Sequence, residues 1–169
     1  MTEDVETVRN LLIKKEYKKV KELLDKLLAD DKENDEFLFL RGVLSLKLKN
    51  YKRAIEFFEH ALAINDKPEY NRMEGMAFFE IFDIENAIDA FKKSLDEEPD
   101  DAVTHFFLSI CYMLTDDPKS AEHIKKAHEI DSKKTKQLIS NFYTLFLEKD
   151  PRISDVQKQR IVEQIKSIE

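Results

Sequence analysis

The chain has 169 residues, 42% of them hydrophobic and 37% charged, with 35 acidic against 28 basic side chains and a net charge of −7. That length and apolar content suffice for one real core, while the acidic balance argues against general affinity for nucleic acid or anionic membranes. Two glycines and four prolines are too few for sheets with their turns or for a glycine-rich phosphate cradle, so the composition predicts an all-helical chain with short, uniform connections.

In chain order, the first apolar stripe is Tyr17, Val20, Leu24, Leu27 and Leu28. It returns 34 residues later as Tyr51, Ala54, Phe58, Ala61 and Leu62, and 33 residues after that as Ile84, Ala87, Phe91, Ser94 and Leu95. Spacings of three, four, three and one put each set on a single helical face. A later copy keeps Ser120, Ile124 and Ala127, with one residue deleted in the turn that holds Asp117 and Pro118. A second helical stretch precedes each of the last three stripes, over 38–48, 71–82 and 104–114. Gly42 and Gly75 sit in the middle of the first two of these, 33 residues apart. A mid-helix glycine costs about 1 kcal/mol relative to alanine, so each is expected to mark a place where a neighbouring helix leaves no room for a Cβ.

Short polar breaks separate the two helices of a unit, and the turns Asn65-Asp66-Lys67-Pro68 and Glu98-Pro99-Asp100-Asp101 separate units. Pro68, Pro99, Pro118 and Pro151 all fall in such breaks. Past the repeats, a helix is predicted over 135–149. Another restarts at Ser154, with Gln157 at the capping-box spacing and a stripe of Val156, Ile161, Ile165 and Ile168.

These residues resemble the tetratricopeptide repeat family, whose unit of about 34 residues carries Leu-Gly, an aromatic, Ala-x-x-x-Phe and a late Pro. Leu38, Arg41-Gly42, Ala54-x-x-x-Phe58, Gly75-x-x-Phe78, Ala87-x-x-x-Phe91 and Pro99 stand at the family's places. The resemblance implies one solenoid, a right-handed superhelix of about five helical hairpins and about ten helices. Its parts are a degenerate N-terminal repeat at 1–34, repeats at 35–67 and 68–101, a repeat-like unit at 102–134 and a C-terminal hairpin with a capping helix at 135–169. Arg41 and Glu74 depart from the family, which usually has Leu there, and Ser45 replaces an aromatic. Arg41 and Glu74 are expected either to pair across the seam between repeats or to reach solvent.

No constellation of catalytic residues is visible, so the expectation is a protein that is not an enzyme, with no cofactor and no metal. His123 and His128 lie five apart, about 140° round a helix, and cannot share a ligand face. His60 and His105 read as isolated, and Cys111 reads as a small core residue. The acidic run 96–101 lacks the glycine and spacing of a calcium loop. Lysine clusters around Lys14 and Lys125 lack the interleaved aromatics that stack bases, so they read as solvated surface, with an acidic partner as the alternative. With no uninterrupted apolar run near about 18 residues, and with Glu3, Asp4 and Glu6 before the first apolar run, neither a membrane span nor a signal peptide is expected. The single Cys111 suits a reducing compartment. A cytoplasmic location is the expectation.

The family resemblance implies a groove lined by the first helix of each unit: Phe39, Leu40, Val43 and Leu46; Arg72, Met73, Met76 and Phe79; Phe106, Phe107, Ile110 and Met113. The lysine, asparagine and arginine clamp by which one branch of the family grips a C-terminal carboxylate is absent, since those places hold Phe39, Val43, Met73, Val103 and Phe107. Part of the stripe is expected to be ordinary core. The remainder suits an apolar or amphipathic segment of a partner protein. The functional expectation is therefore a protein-interaction adaptor or scaffold. The alternative is a self-assembling homo-oligomer whose groove takes the C-terminal helix of its own or a neighbouring chain.

Overall fold

Capping side chains set where the helices begin. Asn34 accepts a hydrogen bond from the Phe37 amide at 3.1 Å, Asp101 from Val103 at 3.1 Å and Asp131 from Lys134 at 2.9 Å. Each thereby satisfies an amide that the helix itself leaves without an acceptor. These caps start helices earlier than the apolar pattern does, at Asp35, Ala102 and Ser132. Pro68 opens its helix as the first residue, where its missing N–H costs nothing.

The computed structural model describes residues 2–143, 147 and 149–166, with Thr2 and 164–166 in backbone only. Ten helices run through the described residues: α1 (Thr2–Ile13), α2 (Tyr17–Asp30), α3 (Asp35–Lys47), α4 (Tyr51–Ile64), α5 (Pro68–Glu80), α6 (Ile84–Glu97), α7 (Ala102–Leu114), α8 (Lys119–Ile130), α9 (Ser132–Phe142) and α10 (Asp155–Lys166). The far end of the helix expected over 135–149 falls partly outside the described residues. The chain divides into two compact units, Met1–Asp83 and Ile84–Glu169.

The turn after each of α1, α3, α5 and α7 has one geometry. Lys15, Lys49, Phe82 and Asp116 adopt left-handed backbone, with φ of 58°, 60°, 64° and 57°. The amide of the next residue reaches back five positions: Glu16 to the Leu11 carbonyl at 3.0 Å, Asn50 to Ser45 at 2.9 Å, Asp83 to Phe78 at 2.9 Å and Asp117 to Tyr112 at 2.8 Å. This is a Schellman closure, usually built on glycine. A side chain there costs about 1 kcal/mol, so Lys49→Gly is expected to raise stability by up to about 1 kcal/mol. Urea unfolding of wild type and variant checks it; an unchanged or lower midpoint would contradict the strain.

In the first unit the stripes of α2 and α4 are core: Val20, Leu24, Ala54, Phe58 and Ala61 are all fully enclosed. Gly42 packs against Phe58, and a Cβ built on Gly42 would lie 2.6 Å from Cδ1 of that ring. Arg41 turns back to α2, pairing with Asp25 at 2.6 Å and donating to the Lys21 carbonyl at 3.2 Å. The pairing of Arg41 with Glu74 expected from the sequence is therefore not the one formed, and neither reaches solvent, since both are buried. The carboxylate of Asp25, one turn from Lys21 on α2, lies within reach of α3 and draws the guanidinium there.

In the second unit, Ala87, Phe91 and Ser94 of α6 and Ser120, Ile124 and Ala127 of α8 are buried on the faces their spacing predicts. Phe106 meets Phe142 edge to face at 6.0 Å. Cys111 is a free thiol in this core, raised well above its ordinary pKa by burial. Ser154 and Gln157 form the predicted capping box, with amide-to-side-chain bonds of 3.0 and 3.3 Å. Gln157 also donates to the Leu114 carbonyl at 3.3 Å, and Arg160 pairs with Asp116, fastening α10 to the end of α7. The expected stripe of α10 is corrected: Ile161 is 1% exposed but Val156 is 67% exposed. Val156 and Ile161 are five residues apart and so point about 140° apart on a helix. The side chain of Ile165, and Ile168, lie outside the described residues.

Candidate binding cleft

In the first unit, α1, α3 and α5 leave an open cleft of about 450 Å³. Its walls are Arg9, Leu12 and Ile13 from α1, Phe39, Leu40, Val43 and Lys47 from α3, and Glu69 and Met73 from α5, with Lys15 and Tyr17 at the first turn. Phe39 and Leu40 form the floor, each 1% exposed, whereas Ile13 on the rim is 77% exposed.

The floor is held from behind. Tyr70 stacks on Phe39 with centroids 4.4 Å apart and an interplanar angle of 19°. Its hydroxyl donates to Asp35 at 2.8 Å, and Asp35 also receives Lys67 at 2.8 Å and Asn65 at 3.2 Å. Burial pushes the Tyr70 hydroxyl up to about 12, with the Asp35 carboxylate adding to that and Lys67 opposing it. Burial is the largest single influence and works against the charges of Asp35 and Lys67, but their mutual hydrogen bond, the hydrogen bonds of each to Tyr70 and their opposite charges together outweigh it, so Asp35 is lowered and Lys67 raised. This network ties the start of α3 to the start of α5. On the cleft side, Arg9 sits 5.9 Å from the Phe39 ring centre and pairs with Glu69 at 3.4 Å.

The twelve groove residues predicted from the sequence have different environments. Val43, Leu46, Arg72, Met73 and Met76 of the first unit are partly exposed, while Phe39, Leu40 and Phe79 are buried. In the second unit Phe107 is partly exposed, and Phe106, Ile110 and Met113 are core. Of the twelve, Phe39, Leu40, Val43 and Met73 line the cleft. The contribution of α1 was missed because that helix carries no glycine or alanine marker. Its signal was the triplet Arg9, Leu12 and Ile13, at the same i, i+3, i+4 spacing as the other stripes.

The second unit holds a cluster that the sequence reading did not anticipate. His105 and His123, from α7 and α8, meet through their Nδ1 atoms at 2.9 Å, so His105 is not isolated. His105 Nε2 donates to the Pro99 carbonyl at 2.9 Å, which leaves its Nδ1 as acceptor and makes His123 the donor. Tyr112 stacks on His123 at 5.4 Å. The ring centres of His105 and His123 are 5.1 Å apart. The end-to-end arrangement is that of a hydrogen bond. Among the described residues no group of three or more His, Cys, Asp or Glu is placed to hold a metal ion.

Burial lowers the pKa of His123, with His105 adding to the effect. A lowered histidine binds fewer protons folded than unfolded, so its contribution to stability is complete at neutral pH and declines as pH falls below about 6.5. Urea midpoints between about pH 7.5 and 5.5 are expected to fall more steeply for wild type than for His123→Gln. Parallel slopes would contradict this coupling.

A helix, a tight turn and a second helix, recurring at 33 or 34 residues around small packing residues, define a helical-hairpin repeat protein. Residues 11–76 match the tetratricopeptide repeat family. A TPR repeat-containing protein of Methanocaldococcus jannaschii, MJ1428, is 24% identical over 110 residues, which span 65% of this chain and 19% of that relative. In fold, the chain is similar to MamA of Desulfovibrio magneticus RS-1, with a TM-score of 0.69 at 24% identity over 76% of this chain and 74% of that one. It is also similar to the APC/C hetero-tetramer Cut9-Hcn1, with a TM-score of 0.74 at 19% identity over 81% and 28% of the two chains. Residues 11–76 thus carry tetratricopeptide repeat sequence, and the chain has an all-α fold of that type. No helix among the described residues is long and apolar enough to cross a membrane.

Proposed function

We propose that this chain is a protein-interaction adaptor whose cleft between α1, α3 and α5 takes an apolar or amphipathic segment of another protein. The observation that carries this reading is the open apolar wall above a fixed floor: Ile13 is 77% exposed, and Leu12, Val43 and Met73 remain partly open beside buried Phe39 and Leu40. An apolar cleft of this kind is the usual form of a recognition groove for helices and peptides. Each apolar anchor seated there contributes about 1.5–3 kcal/mol before ordering costs, so a few anchors reach micromolar affinity. The test is affinity capture by wild type, Met73→Glu and a control charge change at exposed Lys92. Met73→Glu is expected to lose at least about 90% of the captured partner, a change of about 1.4 kcal/mol or more; undiminished capture by the folded variant would reject the cleft.

Self-assembly through the C-terminal region is the second reading, favoured by Val156 at 67% and Tyr143 at 48% exposure in the second unit. Under it, light scattering across a dilution series shows an oligomer that Val156→Glu dissociates. A monomer at all concentrations would reject it.

A further inference from the structure

The cleft of the first unit has an electrostatic character as well as an apolar one. Its lining carries Arg9, Lys15 and Lys47 against Glu69 alone. Arg9 and Glu69 cancel each other in a pair at 3.4 Å. Lys15 and Lys47 are exposed and make no ion pair among the described residues. They stand where α1 and α3 end, Lys47 in the last turn of α3 and Lys15 in the left-handed turn after α1. That puts two uncompensated cations at the rim of an apolar wall, on a chain whose net charge is −7. Charges elsewhere on the chain matter little at this rim, because the screening length is about 8 Å at physiological salt. The local lysines govern what docks.

We infer that the occupant of this cleft is an acidic amphipathic segment, with apolar side chains set on the wall of Leu12, Val43 and Met73 and carboxylates facing Lys15 and Lys47. This rests on the cleft being the binding site, and adds which charge its partner carries. A basic segment with the same apolar face is rejected, because it brings like charges to two lysines that make no ion pair among the described residues. Arg9 does not take part as a free cation, since its charge is already met by Glu69.

The experiment uses the full chain and two fluorescent synthetic helical peptides with one identical leucine stripe, one carrying Glu and the other Lys at every remaining exposed position. Anisotropy titrations at about 0.1 M and about 1 M salt, where screening lengths are about 10 and 3 Å, separate charge from apolar burial. At the lower salt the Glu peptide is expected to bind about tenfold tighter than the Lys peptide or better, and at the higher salt the two converge. The double variant Lys15→Glu, Lys47→Glu, with both changes at exposed positions, inverts the preference. Equal affinities at low salt, or a preference that the double variant leaves unchanged, overturn the acidic partner. If both peptides bind equally and Met73→Glu abolishes both, the acidic partner falls and the apolar cleft stands. Binding of neither peptide overturns both readings.

Discussion

Gly42→Leu is expected to destabilise the first unit by about 3 kcal/mol, because Phe58 occupies the space any side chain would need. Phe58 is wholly buried and Phe39 lies against it, with ring centres 5.7 Å apart, so the ring has nowhere to retreat. Gly42→Ala tests the same contact with one carbon. Helix propensity favours alanine by about 1 kcal/mol, yet the added Cβ would stand 2.6 Å from Cδ1 of Phe58. Overpacking wins, and Gly42→Ala is expected to lose about 1 kcal/mol or more in urea unfolding. A more stable alanine variant would mean that the packing is looser than the geometry gives, and the repeat register built on this glycine would fall with it.

The second large effect is expected at Asp35. Its carboxylate accepts from Tyr70, Lys67 and Asn65, and its removal leaves a buried phenol and a half-buried ammonium short of an acceptor. Hydrogen bonds to a charged group contribute about 1.5–3 kcal/mol, so Asp35→Ala is expected to cost about 3 kcal/mol. Asp35→Asn keeps an oxygen for Tyr70 and is expected to cost less. The pH dependence follows in sign. The folded carboxylate is lowered relative to the unfolded one, so its contribution is complete above about pH 4 and is lost as pH falls through the lower, folded value. Chemical denaturation of wild type and both variants at neutral pH, and again below about pH 4, reads this directly. A negligible cost for Asn, which keeps the volume and loses the charge, would assign the loss in Ala to packing rather than to the charged network.

The repeat was legible in the sequence because small residues have one use in a helix of this kind: they admit a neighbour. Ala54, Ala61, Ala87 and Gly42 announce where a neighbour packs close, and the structure buries all four. Ser94 follows them into the core and keeps an unpartnered hydroxyl. What could not be read from one-dimensional spacing is contact between helices whose residues share no period. Arg41 with Asp25 and His105 with His123 are of this kind, each pair set by how two helices lie side by side. The left-handed turns were hidden for a different reason. Glycine normally marks them, and here Lys15, Lys49, Phe82 and Asp116 accept the strain instead. The cleft was half legible: Val43 and Met73 belong to the recurring stripe, but α1 departs from the repeat composition and supplies a wall that composition alone does not mark.

Binding at the cleft of α1, α3 and α5 is the central claim. Its most direct measurement is amide chemical-shift mapping of the full chain titrated with the acidic leucine-striped peptide. The expected result is perturbation confined to residues around Leu12, Tyr17, Val43, Lys47 and Met73, lost in Met73→Glu. Shifts mapping to the exposed faces of α2 and α4, or no saturable shift at all, would contradict it.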